Sequence, residues 1–101
     1  MKYVLLGTLN AAMMTKQEKR TTTARAKLKE LGIKLDSVYY TQGPYDFVDV
    51  VDAPTPEAVL AFSVWYGQQG YGRIQSLPAF DERTMVKSLA NAGVRGRRAA
   101  R

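Results

Sequence analysis

A chain of 101 residues with 46% hydrophobic and 24% charged side chains has the size and composition of one globular domain. It contains no Cys and no His, which excludes a thiolate nucleophile, an imidazole base, a Cys/His zinc site and a His-ligated haem; no cofactor or metal is expected. The formal charge of +6 gathers at one end, where Arg95, Arg97, Arg98 and Arg101 fall among nine residues that include no acid. Without those four the balance of charge is nearly even, so the basic pI describes a tail more than a face.

Lys2 to Leu9 alternates apolar side chains on both faces and predicts a central strand covered on both sides. Its start has the look of a secretory signal, but the apolar stretch is short and broken by Gly7 and Thr8. The longest uncharged run, Ala58 to Gly72, is 15 residues, short of the ~20 a spanning helix needs. A cytoplasmic protein with no membrane partner is therefore expected. Thr21, Ala24, Leu28 and Leu31 recur at helical spacing among basic residues and predict a first helix over 17–31, closed by Gly32.

Two further strands, over 34–41 and 45–52, flank the breaker Gln42-Gly43-Pro44 and form a hairpin. Thr55 and Pro56 have the chemistry of an N-cap and a first helical residue, which starts a second helix at Pro56. Val59, Phe62 and Tyr66 form its apolar stripe, with Ala58, Ala61 and Trp65 beside them. A fourth strand is expected over 71–77, stopped by Pro78, and a short terminal helix over 81–92. Residues 93–101 have no periodicity and read as a disordered basic tail.

The order β-α-β-β-α-β plus a terminal helix predicts an α+β, ferredoxin-like fold with an antiparallel sheet in order 4-1-3-2 and both main helices on one face. The other face stays apolar whichever parity is chosen. Phe47 and Val51 point one way and Val48 and Val50 the other, so a second copy of the sheet is the expected cover and the chain is expected to be a homodimer or higher homo-oligomer.

The stretch Val38-Tyr39-Tyr40-Thr41-Gln42-Gly43-Pro44-Tyr45-Asp46-Phe47-Val48, with its Gly-x-Tyr-Asp core, resembles the GYD-domain family of small bacterial and archaeal proteins. The likeness extends over residues 1 to 90, through Leu31-Gly32 and the Pro-rich entry to the second helix, to Ala79-Phe80. It implies a subunit of the dimeric α/β-barrel type, whose relatives include small monooxygenases, isomerases and haem enzymes; fold carries over further than chemistry.

The motif residues Gly43, Tyr45 and Asp46 have conformational reasons to occupy a turn, Gly for backbone freedom and Asp for bonding nearby N–H groups. On the functional reading, Asn10, Tyr45, Asp46 and Trp65 are the candidate ligand-binding residues, with Asp46 an acceptor or base at a pocket mouth. Asp49 sits between two valines in mid-strand, where burial is costly without a partner; Arg73, the fourth strand's cation, is a candidate ion-pair partner across a dimer, and simple exposure is the alternative. No phosphate-binding loop or nucleophile elbow is present. The function expected is a homodimer binding a small apolar molecule in an aromatic-lined cavity, as a cofactor-independent enzyme or a simple binder. The alternative is a non-enzymatic assembly protein whose aromatics fill the core. Nucleic acid is not an expected partner beyond weak, non-specific contact through Arg95, Arg97, Arg98 and Arg101.

Overall fold

A computed structural model describes residues 1–93; the basic tail, with its four arginines, lies beyond the described residues. Strands β1 (Lys2–Leu9), β2 (Lys34–Tyr40), β3 (Phe47–Asp52) and β4 (Gly72–Ala79) and helices α1 (Gln17–Glu30), α2 (Pro56–Gln68) and α3 (Glu82–Asn91) follow in the order β1-α1-β2-β3-α2-β4-α3. The sheet runs β2-β3-β1-β4 with every neighbouring pair antiparallel, the ferredoxin-like arrangement.

Local chemistry sets the element ends. Thr55 accepts a bond from the Ala58 N–H and Pro56 opens α2, as expected of that pair. At the end of α1 the Gly32 N–H reaches the Lys29 carbonyl and the Ile33 N–H the Leu28 carbonyl, a Schellman closure that Gly32 permits with φ +74°. Asp81 caps α3 through the Thr84 N–H.

Most boundaries fall within one residue of expectation, and two differ by two residues. β4 continues through Pro78 to Ala79, because it is an edge strand and the missing N–H of Pro78 deprives no neighbour of a ladder bond. β3 begins at Phe47 instead of Tyr45, since the Asp46 N–H turns to the Gly7 carbonyl.

The core lies between one face of the sheet and the two main helices. Tyr3 and Leu5 from β1, Phe47 and Val51 from β3, Leu28 from α1, and Val59, Phe62 and Tyr66 from α2 are all buried there. The Phe47 ring lies over Gly7, where any Cβ would collide with it. An irregularity at Asp36 changes the parity of β2, so that Leu35 faces Val51 and Val38 faces Asp49, three residues apart yet on one face. The opposite face carries Val4, Leu6, Val48 and Val50, half-buried and in register, flanked by the exposed Tyr39 and Leu77, with no element of the described residues over them.

Candidate functional site

A narrow cavity of about 40 Å³ opens between α1, β2, β3 and α2. α1 contributes Arg20, Ala24, Arg25 and Leu28, the parity change brings Val38 and Tyr40 from β2, and β3 adds Phe47 and Asp49. Phe62 and Tyr66 close it from α2. The apolar residues are those that make the core, so the cleft is the unfilled end of the same interface.

Two charged side chains are buried in it. Arg20 is 4% exposed and donates from Nη1 to the Met13 carbonyl at 2.7 Å, in the turn after β1. Asp49 is 9% exposed, between Leu5 and Val38 on the neighbouring strands, and its Oδ1 has no hydrogen-bond partner. Burial pushes the Asp49 carboxyl up from 3.8 to about 6, only partly opposed by the Arg25 guanidinium. Burial likewise holds the Tyr66 phenol up at about 12 against the charge of Arg20, so this phenol is a neutral donor at physiological pH. Arg25 and Tyr40 are exposed and form the mouth.

The arrangement offers one titratable acceptor, two fixed cations and phenolic donors against aromatic walls, a set able to hold a polar group and move a proton. Among the described residues no cluster of three acids or other metal-ligating side chains comes together.

The four residues expected at a ligand site lie outside this cleft. The Asp46 carboxylate accepts the Leu9 N–H at 2.7 Å and the Asn10 amide donates to the Gly70 carbonyl at 2.7 Å, both bracing the end of β1. The Tyr45 hydroxyl donates to Gln75 Oε1 at 2.9 Å beside Leu6, Thr8 and Arg73. Trp65 lines an open groove with Leu31, Leu60 and Val64 on the far side of α2. None of the four lines the cleft. Nor do Asp49 and Arg73 meet: Ile74 packs inward, so Arg73 leaves β4 on the opposite face from Asp49, and sheet stacking would not bring them together either. Asp49 was singled out by its sequence, whereas Arg20 and Arg25 look in sequence like an ordinary basic helix face.

The GYD domain model matches residues 3–89. The chain belongs to the GYD-domain family. Among solved structures, a similar fold over 83% of this chain and 98% of the other is found in 5-chloro-2-hydroxyhydroquinone dehydrochlorinase from Burkholderia phenoliruptrix, in complex with 2,5-dihydroxybenzoquinone, with a TM-score of 0.60 and 11% identity. At that identity the likeness is one of fold. No curated protein matches the chain in sequence. Among the described residues of this GYD-domain protein no helix is long and apolar enough to cross a membrane.

Proposed function

We propose that this GYD-domain protein is a homodimer that binds a small molecule in the cleft between β3, α1 and α2, with Asp49 as the group that acts on the ligand. The observation that carries this is the buried Asp49 Oδ1 without a partner, because an unsatisfied carboxylate oxygen in an apolar interior is costly and persists where something else uses it. A proton acceptor placed this way needs no cofactor for acid–base chemistry. The dihydroxybenzoquinone bound by the dehydrochlorinase of similar fold, a small ring edged with oxygens, supports a ligand of that general size. With room of about 40 Å³, where one water takes roughly 10–15 Å³, the cleft admits a polar edge and leaves the body of a ring at the mouth, between Tyr40 and Arg25.

The dimer is supported by the uncovered outer face, since Val4, Leu6, Val48 and Val50 form a contiguous apolar strip at the centre of the sheet. Light scattering at micromolar concentration is expected to give twice the chain mass. For the ligand, 2,5-dihydroxybenzoquinone is titrated into ¹⁵N-labelled protein, with saturable shifts expected in the amides of α1, Val38 to Tyr40 and Asp49. Shifts confined to other regions, or none at millimolar ligand, refute it. The narrowness of the cleft favours the competing reading, a filled-core assembly protein, and that second outcome is what the competing reading predicts.

A further inference from the structure

The cleft holds two buried charges of opposite sign that do not pair. Among the described residues no carboxylate lies within salt-bridge distance of Arg20 or Arg25, although both arginines line the same cavity as Asp49. A buried cation and a buried carboxyl kept apart across a small cavity describe a place where a third group completes both. Resting on the reading that the cleft binds a ligand, we propose that the ligand is a small organic anion, whose carboxylate or enolate oxygen lodges between the Arg20 and Arg25 guanidinium groups and the Asp49 carboxyl, one proton being taken up by Asp49 as the anion enters.

The charge inventory supports an anion over a neutral hydroxyl compound. α1 presents Arg20 and Arg25 to Asp49, β2 presents Tyr40, α2 presents Tyr66, and β1 offers only Leu5 opposite it. Among the described residues no second acid lines the cavity, so with Asp49 ionised the site carries one excess positive charge, and with Asp49 protonated it carries two. A protonated carboxyl is also a donor, which turns Oδ1 from a repelling oxygen into a third N–H/O–H partner beside the guanidinium groups. Tyr66, neutral with its phenol near 12, adds a donor that does not titrate in the same range. Size fits as well, since a carboxylate group or the oxygen edge of an enolate suits room for a few waters where a whole ring does not. In the step itself the solvent proton adds to Asp49, the negative charge stays on the ligand oxygen, and no ligand bond is broken.

Sodium formate, with chloride as ionic-strength control, is the probe, followed by ¹⁵N amide shifts of the full chain. With the protonated carboxyl near 6 as the competent state, formate is expected to bind about 25-fold more tightly at about pH 5.5 than at about pH 7.5. Asp49→Asn, whose amide mimics the neutral acid in shape, is expected to abolish that dependence and to bind at the higher pH about as tightly as the wild type does at the lower. Arg25→Met, at an exposed position, weakens binding at both pH values and, by removing the charge that holds the Asp49 carboxyl down, moves the pH dependence to higher pH. Equal wild-type affinity at the two pH values, or an Asp49→Asn variant weaker at both, overturns the proposal and makes Asp49 an ionised acceptor instead. If dihydroxybenzoquinone shifts the cleft amides and formate does not at either pH, this inference falls and the binding reading stands; if neither does, both fall.

Discussion

Replacing Asp49 by Asn removes a single buried titration from the folded chain, and its effect on stability can be worked out in sign and size. The carboxyl rises from 3.8 to about 6 on folding, through burial first, with Arg25 pulling the other way. Between those two values the native state holds a proton that the unfolded chain has released, so stability falls as pH rises through the window and the full cost is present above the folded value. With those two values the wild type loses about 1.4 kcal/mol from this group between about pH 5 and about pH 8, and Asn loses nothing. Asp52, held low by the N-terminal ammonium, and Asp81, held low by the Thr84 N–H, act with the opposite sign at more acid pH and cancel in the comparison. Urea titrations of both proteins at the two pH values give the difference of differences. A wild type that loses no more stability than Asp49→Asn, or one that gains it, refutes the argument that Asp49 is a desolvated, unpaired acid.

Gly7→Ala places a Cβ inside the Phe47 ring and is expected to cost about 1–3 kcal/mol by overpacking, read from the urea midpoint. Val48→Asp puts a charge on the uncovered strip and is expected to give a folded monomer by light scattering and circular dichroism. Phe47→Asp buries a charge in the core instead and is expected to unfold the chain, so a folded Phe47→Asp with Val48→Asp still dimeric would reverse the assigned parity. Asp46→Ala leaves the Leu9 N–H without its acceptor and is expected to cost about 1–3 kcal/mol, with amide exchange quickening at Leu9.

The fold was legible because its punctuation is local. Gly32 and Thr55-Pro56 each state an element end in chemistry that needs no tertiary context. Pro78 misled, since whether a proline ends a strand depends on the strand being at an edge, which only the assembled sheet decides. Strict alternation misplaces the face of Leu35 relative to Val38, because the extra residue at Asp36 leaves no mark in the hydrophobic pattern. The site was legible in part. Asp49 is conspicuous as an acid among valines, but Arg20 is one basic residue among many on α1, and its burial depends on where the helix crosses the sheet. The aromatic inventory pointed to a pocket, and Phe47, Phe62 and Tyr66 do line the cleft, but they also pack against one another and Tyr71, with Phe47–Tyr66 and Tyr66–Tyr71 centroids 5.8 and 5.3 Å apart, which leaves the cleft narrow.

Asp46, the acid of the family motif, grips the backbone of Leu9 at the end of β1. From there the chain passes through Asn10, pinned to Gly70 and Tyr71, into the short turn whose Met13 carbonyl holds the Arg20 guanidinium. The motif thus serves as footing for an arm that ends in the cleft. A screen that scores only turnover would file an Asp46 variant with the reactive residues, although its carboxylate stands outside the cavity. Measuring how such a variant binds, and whether raising its stability elsewhere restores it, separates a lost foundation from a lost reagent, and the same separation applies wherever a family is defined by its most recognisable acid.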